Sequence, residues 1–150
     1  MPDLRRAQAA DLDDASALCL RSKAHWGYDA AFMAACRDEL TLREKDLSED
    51  AVWLACVRER MAGVLHFIAE DDVGIIDKLF VEPDFIGQGV GRTLLDKAAA
   101  VAKAKNLRAL EAVADPFAAG FYEQAGFAAF GTTPSGSIPG RTLTTYRKAL

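Results

Sequence analysis

The 150-residue sequence has few cysteines and no long apolar stretch. Its three cysteines, Cys19, Cys36 and Cys56, are an odd set without close spacing, which argues against a disulfide framework and against metal ligation. No run approaches the roughly 20 apolar residues of a membrane span, and the N-terminus lacks the apolar segment of a signal peptide. We therefore expect a cytoplasmic protein without a membrane partner.

Positive charge is also scarce. The chain has 18 Lys and Arg against 22 Asp and Glu, for a formal net charge of -4. Broad nucleic-acid binding leaves a strongly basic footprint, so no nucleic-acid partner is expected. Hydrophobic residues make up 51% of the chain and no linker interrupts it, which favours one folded domain over residues 1–150.

Periodicity divides the chain into helical and extended segments. Helical patterns begin at Asp11 and cover residues 29–40, 91–105 and 116–125. Extended patterns cover residues 4–7, 52–57, 62–69, 74–81, 107–113, 127–132 and 143–148. The strands over 52–81 are closely connected and predict an antiparallel meander, whereas residues 41–50 are polar and are predicted to form a connecting loop.

A glycine-rich segment, residues 86–93, lies between a predicted strand and a predicted amphipathic helix. Its glycines, Gly87, Gly89 and Gly91, leave the backbone N–H groups at a helix start open to phosphate oxygens. The spacing does not fit a Walker phosphate loop, and Arg92 stands where a dinucleotide fingerprint requires its last glycine. The alternative is a flexible turn, for which three alternate glycines are costly.

Two stretches together resemble the signatures of the GNAT superfamily of N-acetyltransferases. The first is LFVEP at 79–83 followed by IGQGVG at 86–91, and the second is DPFAAGFYEQAGF at 115–127. The resemblance covers roughly residues 75–127, and the predicted order of elements fits outside it. It implies an α+β fold of the GNAT-like acyl-CoA N-acyltransferase type: a twisted, mostly antiparallel mixed sheet with a central splayed pair, flanked by helices.

The resemblance also implies acetyl-CoA as cosubstrate. In this family the pyrophosphate lies on the amides of the glycine loop, and the pantetheine arm pairs with backbone at the end of the third meander strand. The implied cofactor-binding residues are Leu79, Phe80, Val81, Gly87, Gln88, Gly89, Val90, Gly91, Arg92, Thr93, Asp115 and Phe121. The chain departs from the family pattern at Ile86, where Gln or Arg is frequent, and at Asp115, where Asn is frequent.

Tyr122 is the catalytic residue that the resemblance implies, because a tyrosine hydroxyl near the sulfur can protonate the leaving thiolate. The alternative is an aromatic core residue. For the general base we select Asp77, expected on the same strand face as Ile75; Glu111 and an ordered water remain open. His66, in the middle of a strand, is more typical of a partly buried histidine than of a base.

The acceptor pocket is expected at the junction of the two N-terminal helices. His25, Trp26 and Tyr28 lie there, and they either line a pocket for a small substrate, with cation–π attraction if it is charged, or form a hydrophobic plug. The loop over residues 134–141 is a second expected wall. Its Arg141 is suited to hold a substrate carboxylate through two parallel hydrogen bonds.

The predicted function is direct transfer of acetyl from acetyl-CoA to a primary amine of a small metabolite. A CoA-binding sensor without activity and an enzyme acting on proteins or peptides are the alternatives. Acetylation of charged tRNA fits poorly with the negative net charge. A homodimer is an assembly known in the family, and we expect it only by that analogy.

Overall fold

A computed structural model describes residues 2–150. The helices are α1 (Leu12–Ala24), α2 (Ala30–Leu40), α3 (Glu44–Glu49), α4 (Val90–Ala104) and α5 (Ala119–Gln124). The strands are β1 (Asp3–Arg6), β2 (Ala51–Val57), β3 (Arg60–Glu70), β4 (Val73–Val81), β5 (Ala109–Ala114), β6 (Ala128–Pro134) and β7 (Thr142–Ala149). Within this part of the chain, none of the helices combines the length and the apolar character needed to cross a membrane.

The seven strands form one sheet in the order β1-β2-β3-β4-β5-β7-β6. All neighbouring strands are antiparallel except β4 and β5, which run parallel from the pair Val73–Ala109 to the pair Ile76–Ala112. This arrangement confirms the predicted mixed sheet with one parallel pair at its centre. The parallel pairing stops while both strands continue, so β4 and β5 diverge beyond Ile76.

The predicted connecting loop over residues 41–50 is wrong, because Glu44–Glu49 form helix α3. Apolar periodicity could not reveal this helix, since Leu47 is its one large apolar residue. Its first turn is instead capped by an acid: the Asp46 carboxylate accepts a 2.8 Å hydrogen bond from the Arg43 backbone N–H. Asp46 is itself buried.

The sheet carries a hydrophobic core on each face. One core includes Leu94 of α4 with Phe67 and Ile76, and the other includes Leu18 of α1 with Val64. Two of the cysteines, Cys19 and Cys36, are buried in the second core, as expected for small apolar side chains, and Cys56 packs against it.

The start of α4 lies close to the sheet because β3 has a glycine beneath it. A Cβ at Gly63 would lie 2.7 Å from the Leu94 side chain and 2.8 Å from that of Val90. Both separations are below van der Waals contact, so a larger residue would push the helix outward. Gly63 thereby fixes the height at which the N-terminus of α4 stands above the end of β4.

Candidate active site

The site is built around the gap between β4 and β5. Antiparallel pairing with β3 passes from Ile76 to Lys78, which leaves Asp77 as an extra, bulged residue. Ile75 and Asp77 nevertheless both line the cavity at this gap. In the described chain, the segment from Asp77 to Val81 has no strand partner on its β5 side, so its backbone groups there face the gap.

A cavity of about 680 Å³ occupies this gap and extends to the α1–α2 junction and the β6–β7 loop. Most of the residues predicted from the sequence as site residues line it: Trp26, Asp77, Leu79, Phe80, Val81, Gly87, Gly89, Val90, Gly91, Arg92, Asp115, Phe121, Tyr122 and Arg141. Four predicted residues lie outside its wall: His25, Tyr28, Gln88 and Thr93.

The glycine loop ends at the N-terminus of α4. Gly89 precedes the helix in the left-handed region, with φ +83, and Gly87 has φ +82. A Cβ at either position would meet no heavy atom within 4 Å, so the space over the helix start is open. Because α4 begins at Val90, the amides from Gly89 to Arg92 have no acceptor within the helix. Open amides at the positive end of a helix suit the phosphate oxygens of a coenzyme.

The polar side chains of the loop contribute less than its backbone. Gln88 donates its amide N–H to the Asp84 carbonyl at 3.2 Å, and the Thr93 hydroxyl donates to the Gly89 carbonyl at 3.0 Å. Arg92 lies at the cavity edge, where its guanidinium donates to Asp96 at 3.3 Å in an exposed pair. Of these side chains, Arg92 is the one positioned to meet an anion in the cavity.

Large apolar side chains along the cavity are unusually exposed. Ile86, Val113 and Phe117 are 41%, 44% and 53% exposed, and all three line the same cavity. Clustered exposed apolar surface marks a place where a ligand binds. Together with the open amides, it gives the gap both a polar and an apolar wall, which fits a coenzyme that carries phosphates and an extended arm.

Tyr122 lies at the cavity wall on α5 and is 5% exposed. Its ring packs edge-on against Phe121 and Phe127, with centroid distances of 5.2 and 5.3 Å. No side chain or backbone group among residues 2–150 forms a hydrogen bond with its hydroxyl. Burial raises the pKa of Tyr122 above its ordinary value. The hydroxyl therefore keeps its proton at neutral pH, as a general acid must.

Asp77, the predicted general base, is held by His66 and Lys78. Its carboxylate lies 3.1 Å from His66 Nδ1 and accepts a 2.8 Å hydrogen bond from Lys78 Nζ. The bond with His66 is the largest influence and lowers the pKa of Asp77 well below its usual range. A carboxylate of such low basicity is a poor proton acceptor at neutral pH, so the geometry lends Asp77 no support as a base.

Neither Glu111 nor Ile75 is better suited than Asp77 to act as the general base. Glu111 lies 3.4 Å from Arg147 Nη1 in a salt bridge and does not line the cavity. Ile75 lines the cavity but cannot titrate. His66 is buried, as expected, and its second ring nitrogen, Nε2, lies 2.9 Å from Asp50. His66 thus connects the bulge at Asp77 to the residue that follows α3.

A polar cluster at the end of β5 brings together residues from three distant parts of the chain. Asp115 Oδ2 accepts hydrogen bonds from the Tyr28 hydroxyl at 2.7 Å, Lys23 Nζ at 3.2 Å and Arg141 Nη2 at 3.4 Å. Asp115 Oδ1 accepts from the Phe117 backbone N–H at 3.0 Å. Tyr28 and Arg141 were predicted on opposite walls, and the structure joins them through a 3.0 Å hydrogen bond.

Sequence reasoning missed Lys23 and Phe117 in this region. Lys23 lies four residues after buried Cys19 on α1, a spacing that places its side chain beside the buried stripe of the helix. Phe117 stacks on Trp26 with centroids 5.1 Å apart and planes 4° apart. His25, by contrast, is exposed and packs against the outer side of Trp26 with an edge-on geometry.

A splayed parallel pair next to a helix with open N-terminal amides defines a protein that binds an acyl-coenzyme A and transfers its acyl group. The chain belongs to the Acetyltransferase (GNAT) family, whose sequence model matches residues 20–127. It is an acetyl-CoA-dependent N-acetyltransferase. A search of curated proteins finds no match.

Solved structures share the whole fold. A GCN5-related N-acetyltransferase from Rhodopseudomonas palustris is 26% identical, with a TM-score of 0.84 over 100% of this chain and 96% of that one. The PaiA N-acetyltransferase from Thermoplasma acidophilum, solved in complex with coenzyme A, is 16% identical, with a TM-score of 0.81 over 100% and 99%. The ribosomal-protein-S18-alanine N-acetyltransferase from Escherichia coli is 17% identical, with a TM-score of 0.74 over 99% and 94%.

Proposed function

We propose that this enzyme acetylates the primary amine of a small metabolite by direct transfer from acetyl-CoA, with Tyr122 as general acid. Acetyl-CoA supplies a thioester carbonyl for the amine to attack and a thiolate that leaves. The chain's own residues bind the coenzyme in the β4–β5 gap and orient the acceptor beside it. The observation that carries the proposal is a single cavity that contains the open amides of α4, the gap and the Tyr122 side chain.

Closure of the acceptor side favours a small acceptor over a polypeptide. The β6–β7 loop reaches across to the N-terminal helices twice: Ser137 donates a hydrogen bond to Glu39 of α2, and Arg141 donates to Tyr28. The Trp26–Phe117 stack adds a contact from the α1–α2 junction to the end of β5. These contacts cover the region where an open groove for a polypeptide would lie.

The proposed role of Tyr122 follows from its environment. The rings of Phe121 and Phe127 fix the orientation of its side chain, and its raised pKa keeps the hydroxyl protonated at neutral pH. The hydroxyl donates its hydrogen bond, and then its proton, to the sulfur as negative charge develops there, and solvent returns a proton to the tyrosine.

Loss of the proton from the acceptor ammonium is assigned to water rather than to Asp77. The Asp77 carboxylate is stabilised in its ionised form by His66 and Lys78, which makes it a weak base; both contact Oδ2, so Oδ1 can still accept a hydrogen bond. We therefore propose that Asp77 orients the amine by accepting a hydrogen bond from it, and that the proton leaves to solvent.

Thiol release from acetyl-CoA, measured against separate pools of amino acids, polyamines, aminosugars and short peptides, tests the function. Release above the hydrolysis background with a small-amine pool, and an acetylated product by mass spectrometry, is the expected result. Release with the peptide pool alone would overturn the small-metabolite assignment. No thiol release above background in any pool, with acetyl-CoA bound to the protein, would overturn amine acetylation by this protein.

A further inference from the structure

The polar cluster around Asp115, at the acceptor end of the cavity, has more positive than negative charge. Lys23 and Arg141 share one carboxylate, Asp115, and both cations reach the same oxygen of it. The other Asp115 oxygen is occupied by the Phe117 backbone N–H. Two cations against one anion leave one positive charge without a carboxylate partner in this cluster.

This excess charge is largely withdrawn from water. The side chains of Lys23, Asp115 and Arg141 are 13%, 18% and 19% exposed. Holding an unmatched cation away from water is costly unless another group compensates it. Aromatic faces supply part of that compensation: Tyr28 and Phe32 are stacked 4.0 Å apart, and both cations lie within about 6 Å of each ring.

Arg141 retains donors for a ligand. Its Nη2 donates to Tyr28 and Asp115, while Nε and Nη1 form no hydrogen bond within residues 2–150. Arg141 and Lys23 both line the cavity, so a ligand there can reach the unused donors. A planar guanidinium with free N–H groups is the side chain best matched to a carboxylate.

We infer that the acceptor carries a carboxylate as well as the amine, and that Arg141 and Lys23 bind this carboxylate. The inference rests on the proposed function, because it names the acceptor class for the same cavity. An anion at this place balances the excess charge of the cluster. The carboxylates of Asp77 and Glu39 also line the cavity and suit the ammonium end of such a dipolar molecule. The chemical class is therefore a small amino acid.

Matched acceptors test this inference on the unmodified enzyme. Each candidate amino acid is compared with its primary amide and with its decarboxylated amine, and kcat/KM is measured for acetyl transfer. We expect a preference of about tenfold or more for the carboxylate, in line with hydrogen bonds to charged groups. An aminoalkyl phosphate of similar length is a further arm, and a preference for it over the amino acid would overturn the assignment of a carboxylate.

Single substitutions test whether Arg141 and Lys23 bind the carboxylate. Arg141→Gln is expected to raise KM for the amino acid and to reduce the preference over the amide to near one, while KM for acetyl-CoA is unchanged. Arg141→Lys should restore part of the preference. Arg147→Gln is the matched control, because Arg147 pairs with Glu111 outside the cavity. An unaltered preference in a folded Arg141→Gln protein would contradict the inference.

The two proposals fail in different ways. If the amide and the decarboxylated amine are acetylated as well as the amino acid, the carboxylate site is wrong while the proposed function stands. If none of the three is acetylated, and the wider amine pools are also silent, the proposed function itself is wrong. A second variant, Lys23→Gln, supplies an independent measurement should Arg141→Gln fail to fold.

Discussion

The Tyr28 hydroxyl donates a 2.7 Å hydrogen bond to Asp115, across 87 residues of sequence. This bond joins the α1–α2 junction to the residue that follows β5. Burial and the bond to Asp115 together raise the pKa of Tyr28 to about 12, so the hydroxyl remains a donor throughout the neutral range. The α1–α2 junction is therefore tied to the central sheet through one carboxylate.

Asp115→Asn is expected to destabilise the domain by about 2 kcal/mol, because Lys23 and Arg141 lose their shared counter-ion. The free energy of unfolding is measured by urea denaturation. Asp96→Asn is the control, since its pair with Arg92 is exposed and contributes less than about 1 kcal/mol. Equal effects of the two substitutions would show that the Asp115 cluster adds nothing to stability.

Tyr122→Phe is expected to lower kcat about a hundredfold, because the leaving thiolate then has no proton donor at this position. The Kd of acetyl-CoA should be unchanged, since the aromatic ring is retained. Tyr146→Phe is the control: Tyr146 is also buried, with its ring centroid 6.1 Å from that of Tyr122, but it does not line the cavity. Full activity of Tyr122→Phe would remove this residue from the mechanism.

Gly89→Ala is expected to weaken acetyl-CoA binding and to cost about 1–2 kcal/mol in stability, because Ala is strained in the left-handed region that Gly89 occupies. Isothermal titration and urea denaturation measure the two effects. Gly120→Ala is the matched substitution: Gly120 lies in α5, has no positive φ, and has open space around its Cβ position. It should leave acetyl-CoA binding nearly unchanged and raise stability slightly, because Ala favours a helix more than Gly does; an equal loss there would contradict the role given to Gly89.

Stability is expected to fall as the pH rises above about 6.5, because of His66. Burial lowers the pKa of His66, but its hydrogen bonds to Asp77 and Asp50 outweigh burial and raise the pKa above its ordinary value. The folded protein thus binds this proton more tightly than the unfolded chain. The resulting stabilisation is complete at a pH below the pKa that His66 has in the unfolded chain. It is lost as the pH rises through the pKa that His66 has in the folded protein.

The free energy of unfolding, measured by urea denaturation from about pH 5 to pH 9, tests this account. His66→Gln should flatten the decline, whereas His25→Gln should not, because His25 is exposed and is the one other histidine. Asp77 affects the free energy of unfolding at low pH. Because its pKa is lower in the folded protein than in the unfolded chain, it contributes stability above about pH 4, and this contribution is lost as the pH falls. A decline that persists in His66→Gln would assign the pH dependence to other groups.

The strands and the long helices were predictable from sequence because their side chains alternate or recur against one of two cores. Helix α3 was not, since its stability comes from an acidic cap at Asp46 and from packing beside His66 rather than from an apolar stripe. The glycine loop was predictable for a different reason: glycines at alternate positions before a helix have a specific conformational cost, and two of them do adopt positive φ.

The polar cluster proposed to bind the acceptor was only half predictable. Tyr28 and Arg141 were selected because polar and aromatic residues stand out at a helix junction and in a loop, yet nothing local shows that Asp115 would join them. The bulge at Asp77 was not predictable, because a strand pattern assumes strict alternation and nothing in the sequence marks a bulge.

The short parallel register between β4 and β5 divides the sheet into two units, β1–β4 and β5–β7, with four aligned residue pairs between them. A coenzyme bound in the gap would contact both units, and so hold them together as well as take part in the reaction. By mass action, a ligand at a hundredfold excess over its Kd adds about 2.7 kcal/mol to the stability of the folded state. Acetyl-CoA well above its Kd is therefore expected to stabilise the folded enzyme as well as to serve as its substrate.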